Sequence, residues 1–594
     1  VRDGDEGREG CPVRDGMEEG KVRGKMQRMK RFIILLGFFL LAFAIFGKSL
    51  GNDFVDFDDG LLIFENPIIQ EISVWSLKQA FTTYDPELYV PLTMISYQID
   101  HLLWGMNPFG FHLTNLVLHT MNALLVTLFI RLLMRRLSYH LLPVLCGLLF
   151  LVHPLHTEAV AWASARKDVL SSFFFLLSVC SYLQWREREK KEERSGKLLY
   201  SFSIFAFALG LLAKVSIIML PVILLLIEWL QGRSLREKTL WIEKIPYIFL
   251  SVLFGIAALG GKQGNSGLLF EKILIGCKAT VFYITKLFWP TGLSVLYPYT
   301  ENISITNADL FISFTIVVVT VIVCLFFVIS PSPYPSLKGG EALRRILPFC
   351  IFFFLVTLTP SFTNFAKGKD ILRDVYFASD RYAYLPSIGI FFVIGLFSHW
   401  MMRKVHMKYA PALFAVIILP LSVLSYQQAR VWKNTETLFT TVIRHYPNSH
   451  LAYSNLGTIA FNKGDFAQAA DYYEKSLEIR PNSAAYFNLG NMLGKIGEIP
   501  QAMKMYHKAI EQKPTDYEAY ANLGELHMRR GEFTEAIAAF GQAITIDPTF
   551  TIAHFNLGLI YERLGRIDDA RQAFERVVKL NPADGEAQEK LGEP

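Results

Sequence analysis

Cysteine is scarce in this 594-residue chain, and none of its six cysteines stands where chemistry would use it. Cys146, Cys180, Cys277, Cys324 and Cys350 lie in apolar stretches, and Cys11 in the N-terminal tail. None is at metal-ligand spacing and none falls in the C-terminal third, which argues against a disulfide framework and a zinc site. Basic residues are scarce in one place: between residues 50 and 111 the only Lys or Arg is Lys78. Acid is absent from Lys21 to Arg31, where six basic residues stand directly before the first long apolar run, and no small-residue cleavage site follows. An uncleaved signal anchor is therefore expected rather than a removable signal peptide. The apolar part shows no internal duplication, and its charges cluster at the ends of runs, both of which argue against a transporter built from repeats.

What is abundant is apolar. Hydrophobic residues make up 52% of the chain, Phe alone contributes 48, and the mean hydropathy is +0.30. A soluble protein of this size needs less, so an integral membrane protein with room for a second domain is expected. Residues 1–31 read as a cytoplasmic tail, polar and mixed in charge and then basic, beginning with Val ahead of a start at Met17, Met26 or Met29. Residues 32–428 read as the membrane domain. Apolar runs near 32–46, 112–134, 141–152, 169–185, 198–213, 215–230, 245–261, 309–330, 346–360, 387–402 and 410–426 make eleven expected spans. A twelfth stretch, 271–290, contains Lys272, Lys278, Lys286 and Pro290 and is expected to lie in the interface or re-enter.

Orientation follows from basic residues in short loops. With the N-terminus cytoplasmic, the cytoplasmic loops hold Arg131, Arg135 and Arg136, then Arg186 to Lys197, then Arg233, Arg236 and Lys238, then Lys338, Arg344 and Arg345, then Arg403, Lys404 and Lys408. The first outer loop, 50–111, faces the other side. An odd number of spans places everything after residue 426 there too. A Val start points to a bacterial inner membrane with a periplasmic C-terminal part; the alternative is an endoplasmic reticulum membrane with that part lumenal.

That C-terminal part, 429–594, is a repeat array. Gly457, Gly490, Gly524 and Gly558 are followed 12 residues later by Ala469, Ala502, Ala536 and Ala570, and 24 residues later by Pro481, Pro514, Pro548 and Pro582. This is the tetratricopeptide helix–turn–helix pattern, with small residues where two helices touch and proline where the second stops. Ala429 to Pro447 reads as a lone second helix of a preceding repeat, and 584–592 as a solvating cap. Asn455, Asn488, Asn522 and Asn556 recur just before each Leu-Gly. Stacking would put them in a row along the groove, where amides could pair with an extended peptide. The alternative, that they bond only within their own array, stays open.

The outer face gathers the chemistry. Its first loop carries Asp53, Asp56 and the pair Asp58-Asp59; with it go His153-Pro-Leu-His156-Thr-Glu158, Arg166-Lys167-Asp168, Lys214 and Asp380-Arg381-Tyr382. Singly, such residues snorkel to headgroups. Together, cations opposite a carboxylate pair suit a lipid phosphate, held by arginine as a planar fork and by lysine as a point charge.

The runs FDDGLLIFENP, Tyr89-Val-Pro91-Leu, FHLTNLVLHTMNALL, HPLHTEAVAWASARKDVLSS and DRYAYLPSIG, followed by the repeats, resemble the transmembrane and tetratricopeptide repeat-containing proteins. Those are protein O-mannosyltransferases of the C-type glycosyltransferase superfamily. The resemblance covers roughly residues 32 to 590. It implies a polyprenyl-phosphate-linked sugar donor and a catalytic base in the first outer loop, and it places Asp58 and Asp59 on that acidic pair.

Chemistry agrees. Outside the cytoplasm there are no nucleotide sugars, so a sugar must arrive on a lipid carrier. Transfer then needs a base for the acceptor hydroxyl and cations for the departing phosphate. Asp58 or Asp59 is the candidate base; Arg166, Lys167, Lys214, His153 and Arg381 are the candidate cations, with His156 and Glu158 beside them. Asp56-Phe57-Asp58 fits a D-x-D pattern, which leaves a divalent metal open without assigning one. The expected function is an inverting glycosyltransferase that moves a sugar, mannose by resemblance, to a protein Ser or Thr hydroxyl, with the repeats holding the acceptor. The rival is a non-enzymatic membrane scaffold whose repeats bind a partner, for which eleven spans are far more than an anchor needs.

Overall fold

The computed structural model describes residues 32–84, 88–135, 141–193, 195–260, 269–329, 340–364, 375–404 and 410–592, with Met26 and Met29. The rest of the N-terminal tail, Arg136, Arg194, residues 261–268, Lys338 and Lys408 lie outside the described residues. Among the described residues the protein is helical apart from one antiparallel pair of two-residue strands, Pro298–Tyr299 against Val375–Tyr376. The chain divides into two compact units, Val1–Leu438 and Phe439–Pro594.

In the first unit, seven described helices are long and apolar enough to cross a membrane: Phe32–Gly51, Pro108–Leu133, Ala163–Glu189, Ser195–Ala213, Ala308–Ile329, Arg344–Phe362 and Phe414–Lys433. An eighth crossing is available if the bent pair Leu142–Val152 and Pro154–Ala161 forms one span. The remaining expected spans are the shorter apolar helices Val215–Leu230, Ile245–Gly260 and Ser387–Met402. Every apolar run is thus helical, while length and composition license seven or eight crossings. The stretch 271–290 falls in one unbroken helix, Leu269–Phe288, which buries Leu274, Ile275, Ala279 and Tyr283 and exposes Phe270 and Phe288.

Local chemistry explains the breaks that shape the site. His153 is extended (φ −76°, ψ 129°), as a residue before proline tends to be, and the Pro154 nitrogen has no hydrogen to donate. The resulting 56° bend turns the chain into short turns from Pro154 to Ala165. The helix Pro108–Leu133 lies against Leu142–Val152 at the closest possible approach, since a Cβ on Gly147 would collide with the Thr127 hydroxyl.

The loop after Phe32–Gly51 is itself folded. A π turn, Gly60–Phe64, precedes the helix Val74–Thr82, which opens on a Ser73/Ser76 capping box, and then Pro91–Trp104, with proline in its first turn. Leu62, Ile63, Ile69, Met94, Tyr97 and Phe111 form its core with Ala163.

The second unit holds four helix pairs, His450–Asn462 with Phe466–Ile479, Ser483–Ile496 with Ile499–Gln512, Tyr517–Arg529 with Phe533–Ile546, and Thr551–Arg563 with Ile567–Leu580. The repeating glycine has a steric cause. A Cβ on Gly457, Gly490, Gly524 or Gly558 would stand 2.6, 2.8, 3.1 or 2.6 Å from the ring of Tyr473, Tyr506, Phe540 or Phe574. The end helix is Gly585–Leu591, capped by Asp584. The lone helix expected from Ala429 starts later, as Thr435–His445, because Asn434 caps it by accepting from the Thr437 N–H at 2.9 Å. Ala429 instead ends the α-helical part of the last candidate span, whose final residues Arg430–Lys433 form a 3-10 turn.

Candidate functional site

The two adjacent aspartates of the loop after the first span have different fates. Asp59 is fully buried. Its Oδ2 accepts from the Val55 N–H at 2.8 Å, and its Oδ1 accepts from the Ser164 N–H at 2.9 Å and from the Ser164 hydroxyl. It therefore ties the loop to the turn Ala163–Ala165. Burial pushes its carboxyl up to about 6, against the bonds from Ser164 and Val55, which hold it down, and with the Asp58 charge adding to the rise. Asp58 is half-buried, and its carboxylate makes no hydrogen bond or ion pair among the described residues. Its electrostatic neighbours are Lys167 and Arg381.

The cations also sort themselves. Arg166 is fully buried and consumed by the fold. Its Nη2 donates to Asp100 Oδ2 at 2.6 Å and to the Phe111 carbonyl at 2.8 Å, Nη1 reaches Ser96 Oγ at 3.3 Å, and Nε donates to Asn115 Oδ1. Lys167, also buried, has no hydrogen bond or ion pair for its ammonium among the described residues. Lys214 pairs with Asp168 Oδ1 and lies 5.6 Å over the Tyr382 ring.

Arg381 is aimed by its neighbours. Glu158 Oε1 accepts from Arg381 Nη1 at 3.2 Å and from the Ser379 hydroxyl at 2.6 Å, while Oε2 accepts from the Arg381 N–H at 3.3 Å. The guanidinium sits 4.5 Å over Trp162, and its Nε is buried without a partner. Glu158 thus orients a cation rather than meeting a ligand itself. The histidines have no ring nitrogen to spare. His153 uses Nε2 with the Leu287 carbonyl at 3.1 Å and Nδ1 with the Leu155 N–H at 3.3 Å. His156 uses Nδ1 with the Phe150 carbonyl at 2.7 Å and Nε2 with Ser387 Oγ at 3.0 Å.

Of the residues expected from sequence, the fold brings Asp58, Lys167, Lys214, Glu158 and Arg381 together with Asp168. It assigns Asp59, Arg166, His153 and His156 to internal bonds. Sequence reasoning missed Ser164, Asp100, Asn115 and Trp432. Asp100 and Asn115, polar residues on otherwise buried helix faces, were the available signal. Trp432 stacks on Trp162 at 5.4 Å and 22°. Around it the loop after the first span is sewn to the end of the last candidate span and the segment that follows: Asp53 N–H to the Lys433 carbonyl at 2.9 Å, and Asp56 N–H to Thr435 Oγ1 at 2.9 Å. Asp56 is exposed, and among the described residues no group of three His, Cys, Asp or Glu side chains is arranged to hold a metal.

In the repeat unit the asparagine row is half-buried and bonded within the array at three positions. Asn455 donates to the Leu451 carbonyl at 2.8 Å, Asn488 to Thr458 Oγ1 at 3.3 Å, and Asn522 to Asn491 Oδ1 at 2.8 Å. Asn556 is half-buried as well.

Comparison with known proteins agrees with both units. Tetratricopeptide repeat families match residues 450–483 and 551–584, and a TPR repeat family matches 490–531 and 526–565. Protein O-mannosyl-transferase F38B6.6 of Caenorhabditis elegans is 24% identical over 79% of this chain and 65% of its own length. Protein O-mannosyl-transferase TMTC4 of Homo sapiens is 26% identical over 73% of this chain and 64% of its own. The chain thus spans just under two thirds of the length of these curated relatives. Among solved structures, MamA is 25% identical over 26% of this chain and 90% of its own, with a TM-score of 0.24. The curated matches run far beyond the repeats, so the similarity to proteins named protein O-mannosyl-transferase takes in the membrane unit as well.

Proposed function

We propose that this membrane protein is a glycosyltransferase that moves a sugar, mannose by the names of its relatives, from a polyprenyl phosphate to a protein Ser or Thr hydroxyl. The observation that carries the reading is the nearness of a carboxylate, Asp58, to a buried cation, Lys167, neither of which has a hydrogen bond or ion pair among the described residues. Asp58 takes the proton of the acceptor hydroxyl as its oxygen attacks the anomeric carbon. The bond from that carbon to the phosphate oxygen breaks, and the electron pair leaves with the phosphate. Lys167 and Arg381 stabilise the charge that develops there. Attack opposite the leaving group inverts the anomeric centre. Asp59 acts through position, holding the loop that presents Asp58.

With the basic loops cytoplasmic and an odd number of spans, this site and the repeats would face the non-cytoplasmic side. That side is the periplasm in a bacterial inner membrane and the lumen in an endoplasmic reticulum, and lipid-linked sugars serve either. The repeats hold the acceptor; the asparagine oxygens and remaining amide hydrogens in the row would pair with an extended backbone. The test is the mass of the sugar on co-purified proteins when the full chain is expressed. Asp58→Asn should abolish it with expression and membrane insertion unchanged. Full transfer by Asp58→Asn would place the base elsewhere.

A further inference from the structure

At Lys214 and Arg381 lies a cavity of about 40 Å³ whose lining also includes Asp168, Ser172, Ser216 and Tyr382. We propose that this cavity is the subsite for the transferred sugar, with Asp168 Oδ2 accepting a hydrogen bond from one of its ring hydroxyls. The inference rests on the transferase reading and adds which groups meet the sugar.

Three observations converge. Asp168 is more than nine-tenths buried; its Oδ1 is taken by Lys214, while its Oδ2 is buried with no donor. A buried acceptor left empty is costly, so the site is built for a donor that arrives with a ligand. Second, the cavity is a poor place for the phosphate. The free carboxylate oxygen would meet it with like charge, and the Lys214 charge is already neutralised by Asp168. A neutral polyol suits it better, because serine hydroxyls both donate and accept and the carboxylate accepts. Third, the volume holds about three waters, the space that one hydroxyl-bearing edge of a pyranose would fill. Arg381 joins the two regions, since it lines the cavity and has Asp58 as an electrostatic neighbour. Sugar and phosphate are adjacent in the donor, and this arrangement keeps them adjacent in the site.

The test uses the full chain with polyprenyl-phosphate mannose and its 2-, 3-, 4- and 6-deoxy analogues. One deoxy donor should lose roughly 10- to 100-fold in kcat/KM, the range for a hydrogen bond to a charged group. Asp168→Asn should flatten that penalty, and equal penalties in both proteins would overturn the proposal. Because Asp168→Asn also breaks the pair with Lys214, Ser172→Met supplies a second variant that fills the cavity and leaves the pair intact. Binding of methyl α-mannoside by saturation-transfer NMR should be seen with the unaltered chain and lost with Ser172→Met. Binding that survives Ser172→Met, or none with the unaltered chain, would also overturn it. If the unaltered chain transfers no sugar to any hydroxyl, the transferase reading fails, and the NMR measurement still decides the cavity.

Discussion

The helix Arg166–Glu189 carries a cluster of charges at each end, and the two are built on opposite rules. The ends lie about 27 Å apart, from Asp168 to Arg186, at 1.5 Å per residue. At the C-terminal end the charges that are buried or half-buried are answered, among the described residues. Glu228 accepts from Arg186 Nε at 2.9 Å and from the Tyr182 hydroxyl, with Arg233 at 3.8 Å. Arg233 holds Glu243 through two bonds of 2.7 and 2.8 Å and Glu237 through one of 2.8 Å. Lys244, fully buried, reaches Tyr182 and Glu243. At the N-terminal end the pairing is incomplete: the Asp58 carboxylate, the Lys167 ammonium, Asp168 Oδ2 and Arg381 Nε are left over. A protein has no stability reason to bury unanswered charge. The complete cluster reads as scaffold and the incomplete one as a site waiting for a ligand.

The sharpest way to break this comparison is to cross stability with activity. Asp58→Asn should cost roughly 10²- to 10⁴-fold in transfer, the range for a lost general base, with the thermal midpoint in detergent unchanged. A fall in midpoint with transfer retained would make Asp58 scaffold. Glu228→Leu should do the reverse. Leaving the buried Tyr182 hydroxyl and Arg186 Nε without their acceptor should cost about 1–3 kcal/mol, seen as a lower melting midpoint, while activity per folded molecule persists.

Asp59 sharpens the contrast within one dipeptide. Its folded pKa of about 6 lies above the unfolded value, so the folded state holds the proton more tightly. Stability from this group is present below about pH 4 and is lost as pH rises through 6, by about 3 kcal/mol at most. Unfolding free energies of the unaltered chain and Asp59→Asn, compared from pH 4 to 7, should differ by that slope; parallel curves would mean that Asp59 does not titrate in the fold. The smallest effect belongs to the repeats. Asn488→Ala with Asn522→Ala should lower transfer to a protein acceptor roughly tenfold, about 1.4 kcal/mol, and leave hydrolysis of the lipid-linked sugar intact. No change in either would put the row with the fully answered scaffold.

Much of this was legible in advance. Each expected apolar run is helical, the four repeats fall where Gly457, Gly490, Gly524 and Gly558 placed them, and the blocks carrying Asp58, Glu158, Lys167, Lys214 and Arg381 lie near one another. These features are local: a run of apolar side chains, a glycine under an aromatic ring and a proline after a helix each act within a few turns of chain. The helical content of the loop after the first span was less legible, because Val74–Thr82 leaves Val74, Trp75 and Phe81 exposed and buries little beyond Ala80, while Met94 and Tyr97 of Pro91–Trp104 pack with Ala163, far along the chain.

By itself, then, the sequence determined that the long apolar runs are helical, that the C-terminal unit is a tetratricopeptide array, and which few blocks hold the charges. Only the tertiary structure decided which of those charges are spent. Asp58 and Asp59 are neighbours in the chain, as are Arg166 and Lys167, and no local pattern separates them. Asp59 is consumed by Ser164, 105 residues away, and Arg166 by Asp100 and Asn115, 66 and 51 residues away. Whether a buried ion is answered depends on partners that the chain supplies only after it has folded, which is why the free members, Asp58 and Lys167, could be seen only there.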